Sequence, residues 1–193
     1  MIYIFCAFEA EARALIDSYK LIKKQSVPFV LFSNESIQLI LSGMGQQKAK
    51  EAAEYLLTLH TIQNTDIFLN IGVCAAKENY KIGELLEVNQ IHDETNTYPL
   101  QSHSSILKPV TCFSASQAQG KGRDSDIAEM EALGLYLVLK DDFISDRISF
   151  LKIVSDNFKP FIPKKSFIIG LIQARVKEIK EHIQNLQGEH LVR

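Results

Sequence analysis

The residues best suited to chemistry in this chain fall directly after apolar runs that read as β-strands. Four such groups are Phe8-Glu9-Ala10-Glu11, Ser42-Gly43-Met44-Gly45, Gly72-Val73-Cys74-Ala75-Ala76 and Ser155-Asp156-Asn157. A fifth, Glu129-Met130-Glu131, sets two carboxylates around a methionine at the head of an apolar stretch. In open α/β sheets ligands bind beyond the carboxyl ends of the strands, so these groups are candidates for one common cleft. Carboxylates there accept hydrogen bonds from neighbouring hydroxyls, and burial raises their pKa until they exchange protons near neutral pH. Gly43 and Gly45 permit a tight turn whose amides approach an anion or polar ligand.

The elements that must position these residues are read from periodicity. Residues 1–7 are β-branched and aromatic, a predicted central strand, and Glu9–Tyr19 then carries Ala12, Leu15 and Ile16 at helical spacing. Residues 27–33 and 36–42 are two strand-like runs joined by Asn34 and Glu35, compatible with a hairpin. Residues 46–60 read as a helix with a small-residue face of Ala49, Ala52 and Ala53. Strands are expected over 66–71, 84–91 and, more weakly, 106–113. The polar, Gly-containing stretch 114–125 is expected to be a mobile loop. A helix is expected over 127–138, and a strand over 147–154 that delivers Ser155 and Asp156. A long final helix is expected over 166–186, with Ile172, Val176, Ile179 and Ile183 on one stripe. This alternation predicts an α/β fold, a single-domain three-layer α/β/α arrangement around a central mixed β-sheet.

Composition narrows the ligand class. With 193 residues, 46% of them hydrophobic, the chain can bury one sizeable core and is short for two ordinary domains. Its 21 Lys and Arg against 23 Asp and Glu give a net charge of -2, so no basic field points to nucleic acid or an anionic membrane. A small-molecule ligand is expected. Glu9 and Glu11 interrupt the apolar start, which has no basic n-region, and no run approaches the roughly 18 apolar residues of a membrane span. A soluble, cytoplasmic protein is expected. Cys6, Cys74 and Cys112 lack the paired spacing of a zinc or redox motif and read as buried thiols.

Taken in order, AFEAE at 7–11, SGMG at 42–45, NIGVCAA at 70–76, KIGELLEVNQIHD at 81–93, AEMEA at 128–132 and VSD at 154–156 form a recognisable series. Together they resemble the superfamily of nucleoside phosphorylases and methylthioadenosine/S-adenosylhomocysteine nucleosidases. The resemblance implies that Glu131 accepts hydrogen bonds from the ribose hydroxyls while Met130 packs against the sugar, with Glu129 beside them. It further implies that Asp156, oriented by Ser155, acts as acid at the purine ring, and that Glu11 activates the attacking water. Glu9, nearer the helix N-terminus, reads as structural. Gly43 and Gly72 line the loops near the nucleophile, and Phe113 either stacks on the base or belongs to the core. His92 and Asp93 read as structural. No metal and no organic cofactor is implied, and a homodimer is.

The series also separates water from phosphate as the nucleophile. Phosphorylases of this superfamily hold phosphate with an arginine at the place occupied here by Asn70, which cannot offer a charged bidentate fork. A purine-type nucleosidase is therefore the expected activity, on a methylthioadenosine-, adenosylhomocysteine- or futalosine-like nucleoside. Two alternatives remain: a phosphate-dependent phosphorylase using an arginine such as Arg123 or Arg147, and a non-catalytic nucleoside-binding protein. The chain departs from the family pattern at Val73, at Ala75 and Ala76, and at Thr111-Cys112-Phe113-Ser114, which leaves the base and the substrate open.

Overall fold

The structure is a computed structural model and describes residues 1–104, 106–116, 124–140, 147–159 and 163–191, with side chains to residue 188. β1 (Ile2–Cys6) is buried along its whole length between β4 (Ile37–Leu41) and β5 (Ile67–Ala76), parallel to both. A strand covered on both faces needs an unbroken apolar run, which Ile2-Tyr3-Ile4-Phe5-Cys6 supplies. β3 (Val30–Ser33) and β2 (Ile22–Gln25) extend the sheet antiparallel from β4 to an edge. Asn34 fixes the expected hairpin: its Oδ1 accepts the Ser36 and Ile37 amides at 2.9 and 2.8 Å, the local capping that suits asparagine to turns.

On the far side of β5 the pairing closes on itself. β10 (Ile148–Asp156) runs parallel to β5, and β6 (Leu85–His92) antiparallel to β10. β8 (Lys108–Ser114) is parallel to β6, and β9 (Ile127–Glu129) is parallel to β8 and antiparallel to β5. Five strands thus make a ring, to which β1, β4, β3 and β2 attach as a wing, while β7 (Thr97–Pro99) pairs with β6. The mixed sheet is as expected. Its closure depends on which strands pair across the fold, and local periodicity carries no information on that.

Helices cover both faces. α1 (Glu9–Tyr19) and α4 (Lys165–Leu191) bury Leu15, Ile16, Ile172, Val176, Ile179 and Ile183 against Ile4, Leu39, Leu69, Leu151 and Ile153. α2 (Gln46–Leu59) and α3 (Ala132–Leu139) bury Ala49, Ala52, Ala53, Leu56, Leu133 and Leu135 against Phe5, Phe68, Phe150 and Val154. Fully burying each Leu, Ile, Val or Phe side chain contributes about 1.5–3 kcal/mol, so the two apolar layers hold the sheet between them. α2 and α3 meet at their backbones, because a Cβ on Gly134 would overlap the Gln46 carbonyl. Among the described residues no helix is long and apolar enough to cross a membrane.

Four sequence expectations change. The helix expected over 127–138 is two elements: Ile127–Glu129 pairs with β5 and β8 as β9, and helix begins only at Ala132. A short apolar run does not distinguish strand from helix by period, and tertiary pairing decided it. β5 runs on to Ala76 rather than ending at Ile71, and β10 includes Ser155 and Asp156. Within the expected loop 114–125, Ser114 closes β8, while residues 117–123, Arg123 among them, lie outside the described residues.

Candidate active site

β4, β1, β5 and β10 are successive parallel neighbours, so their carboxyl ends open on one side of the sheet. The exits of β1 and β4 are clipped together, Ser42 N donating to Cys6 O and Gly43 N to Ala7 O, both at 2.9 Å. Gly43 sits at φ +84, and a Cβ there would come within 2.7 Å of the Lys48 side chain. The turn predicted at 42–45 thus needs glycine for its conformation.

Glu11 lies in the first turn of α1, 3% exposed. Its Oε2 accepts the Ala7 amide at 2.9 Å and its Oε1 the Val73 amide at 2.8 Å. A Cβ on Gly72 would stand 2.8 Å from Oε1, so the absent side chain of Gly72 is the space that Glu11 occupies. Burial and the nearby Glu131 charge push Glu11 up to about 7, against the opposing pull of the two amides and Lys152. Glu9 points outward to an exposed pair with Arg13, the structural part expected of it.

Glu131 immediately precedes α3, and its Oε1 accepts the Gly45 amide at 2.9 Å, tying the turn after β4 to the turn after β9. Burial and the adjacent Glu129 raise its pKa. Glu129 is fully enclosed, and its Oε2 takes three donors: the Glu131 and Ala132 amides at 2.9 Å each and Lys152 Nζ at 2.7 Å. Burial opposes its ionisation, but the Lys152 ammonium holds it below the usual carboxylate range. Met130 is half-buried between the two glutamates.

Lys152 belongs to none of the motifs singled out in the sequence. It is 1% exposed at the middle of β10. Burial favours its neutral form, yet Glu129 and Glu131 lift its pKa above that of an ordinary lysine. One signal was present: strand alternation puts Lys152 on the face of Phe150 and Val154, and a lone cation between two core residues needs a buried partner.

Asp156 ends β10 opposite Ala75, after an irregularity in register following Val154 that re-aims the strand end. Its Oδ2 is 2.9 Å from the Ser155 hydroxyl, which also lies 3.1 Å from Cys74 O. Asn157 Nδ2 reaches the Ala76, Lys77 and Tyr80 carbonyls at 3.0–3.2 Å and anchors the chain as it leaves β10. Phe113 is buried and packs with Ala115, Ala128 and the half-buried Phe158.

These positions converge on the last four residues of β5. Glu11 bonds Val73, Asp156 stands opposite Ala75, and β9, which leads into Glu129 and Glu131, pairs with Ala75 and Ala76. Asn70 lies lower on the same strand, its Nδ2 donating to Phe5 O at 3.2 Å. Arg147 is at the opposite end of β10, its guanidinium donating to the Gln63 and Asp66 carbonyls. His92 and Asp93 form a turn, with Asp93 Oδ1 accepting the Thr95 and Asn96 amides and His92 Nδ1 3.0 Å from Thr97 Oγ1. The three cysteines are buried free thiols, and burial pushes each pKa up, which suits packing and not nucleophilic attack.

No family model matches the chain, and a search of curated proteins finds no relative. Solved structures do share its architecture. The chain is similar to the 5'-methylthioadenosine nucleosidase of Arabidopsis thaliana in its apo form, with TM-score 0.78 and 17% identity over 97% of this chain and 96% of that one. It is similar to the futalosine hydrolase of Helicobacter pylori, with TM-score 0.79 and 15% identity over 95% and 97%. A mutant of the Helicobacter pylori nucleosidase MTAN with 5'-methylthioadenosine in its active site gives TM-score 0.79 and 15% identity over 95% and 97%. The α/β fold around a mixed sheet is therefore shared with these solved structures.

Proposed function

We propose that this chain is a nucleosidase that hydrolyses the N-glycosidic bond of a purine-type nucleoside, methylthioadenosine-, adenosylhomocysteine- or futalosine-like. The observation that carries the reading is the meeting of Glu11 and Asp156 at Val73 and Ala75 of one strand end, with Glu131 reached through the strand beside it. The shared fold with a methylthioadenosine nucleosidase and a futalosine hydrolase supports it.

In this reading Glu131, already fixed by the Gly45 amide, accepts the two ribose hydroxyls with its remaining lone pairs, and Met130 packs on the sugar. Asp156, steadied by Ser155, gives a proton to the base as the C–N bond breaks and the base departs with the bonding electrons. Water adds to the oxocarbenium-like carbon and passes its proton to Glu11, whose pKa of about 7 suits a base working near neutrality. Acid and base act on opposite sides of the bond, as in inverting glycosidases.

Two observations favour water over phosphate. Asn70 stands where a phosphorylase would need a cation, and the buried cation nearby, Lys152, is already bound to Glu129. A dianion entering among Glu11, Glu129 and Glu131 meets like charge. Arg147, engaged at the far end of β10, is not placed to help. The working unit is taken as a homodimer, which analytical ultracentrifugation checks.

Chromatography of reactions with methylthioadenosine, adenosylhomocysteine, futalosine and inosine tests the proposal. Free base and free sugar without added phosphate are expected from at least one of them. Release that requires phosphate and yields a sugar 1-phosphate makes the chain a phosphorylase, and binding without turnover makes it a nucleoside-binding protein.

A further inference from the structure

We infer that Lys152 is the positioning residue of this site, its ammonium holding the turn that presents Glu131 and balancing the charge of the glutamates around it. The inference rests on the nucleosidase reading for its consequence in turnover, but its geometry stands apart from that reading. Lys152 Nζ donates to Glu129 Oε2 at 2.7 Å, and that same oxygen accepts the Glu131 and Ala132 amides. These amides belong to the first residues of the turn into α3, which have no partner within the helix. Glu129 supplies that partner as a buried carboxylate. A buried charge left without a partner is costly, and Lys152 is the cation bonded to Glu129. The chain of contacts therefore runs from Lys152 through Glu129 to the backbone of Glu131 and on to the Gly45 amide.

Lys152 also faces Glu11. It is in register with Gly72 on the neighbouring parallel strand, and the missing side chain of Gly72 points at the Glu11 carboxylate. Around Lys152 stand Glu11 from α1, Glu129 and Glu131 from the β9–α3 turn, Cys6 from β1, Cys74 from β5 and Cys112 from β8, with Asp156 at the end of its own strand. All three thiols stay protonated near neutral pH because burial raises them. The charge balance is thus one ammonium against the carboxylates. Lys152 lowers the pKa of Glu11, Glu129 and Glu131 alike, so its removal must raise all three.

Carboxyl titration by NMR, with glutamate labelled at Cδ, tests this without any substrate. In the unaltered protein Glu11 is expected to titrate near 7; in Lys152→Met its midpoint moves up by about one unit or more, and Lys152→Arg restores it. Glu129→Gln provides a second variant of opposite sign. Its amide oxygen still accepts the Glu131 and Ala132 amides, while loss of the charge lowers the Glu131 midpoint. In turnover, the acid limb of the kcat/KM profile moves by the same displacement and KM rises about tenfold in Lys152→Met. Midpoints unchanged in both Lys152→Met and Glu129→Gln, with altered thermal stability alone, would overturn the inference. Shifted midpoints in a protein that cleaves no nucleoside would leave the role of Lys152 standing and remove the nucleosidase reading instead.

Discussion

Glu11 and Gly72 occupy one space: the Glu11 carboxylate fills the volume that a side chain on Gly72 would take, with Oε1 2.8 Å from where the Cβ would be. The carboxylate is held there by the Ala7 and Val73 amides. Gly72→Ala is therefore expected to fold, to displace Glu11, and to lose tenfold or more in kcat, about what a misplaced catalytic group costs. Circular dichroism with steady-state kinetics checks it. An unchanged kcat would mean that Glu11 is not the base.

Glu11 also leaves a mark on stability. Its folded pKa of about 7 lies above the ordinary 4.5, so the native state keeps the proton more tightly than the unfolded chain. The stabilisation this gives is complete below about 4.5 and is lost as pH rises through about 7, a span worth about 3 kcal/mol. Glu11→Gln does not titrate. The stability of the unaltered protein minus that of Glu11→Gln is expected to fall between about pH 4 and pH 8 by that order, measured by denaturant unfolding; a difference independent of pH contradicts a raised Glu11.

Asp156 and Ser155 should separate chemistry from binding. If Asp156 is the proton donor, as proposed, Asp156→Asn is expected to cut kcat by about 10²–10⁴ while leaving nucleoside binding within about threefold. Ser155→Ala loses only the contact that steadies Asp156, so a fall of roughly tenfold is expected. Calorimetry and initial rates measure the two effects. Equal losses in both variants would make Asp156 a structural residue.

Gly134 joins the two turns of the site from behind. A Cβ there would overlap Gln46 O and lie 2.7 Å from the Gln46 carbonyl carbon, so α2 and α3 must part. Alanine in a helix gains about 1 kcal/mol over glycine, but overpacking costs about 1–3. Gly134→Ala is expected to lower Tm and raise KM, since Gly45 beside Gln46 holds Glu131. A raised Tm would show that the helices adjust freely.

Much of this architecture is legible in the sequence. The apolar run of β1, the helical spacing of α1 and α4 and the alanine face of α2 each follow from local periodicity, and the carboxyl-end rule points to Glu11, Gly43, Gly72 and Asp156 from the residue order alone. The features that stay hidden depend on partners distant in the chain. Ile127–Glu129 is a strand because β5 and β8 pair with it. Lys152 reads as an interruption of an apolar strand until Glu129, far away in sequence, is seen to bind it. The closure of five strands into a ring is likewise a property of pairing.

Whether Glu11, Glu131 and Asp156 act on one nucleoside is decided by a crystal structure of Asp156→Asn with 5'-methylthioadenosine. Glu131 is expected within hydrogen-bond distance of both ribose hydroxyls, with the substituted residue 156 at the purine ring and a water between Glu11 and the anomeric carbon. A nucleoside bound away from the end of β5, or one whose ribose is not held by Glu131, would contradict it.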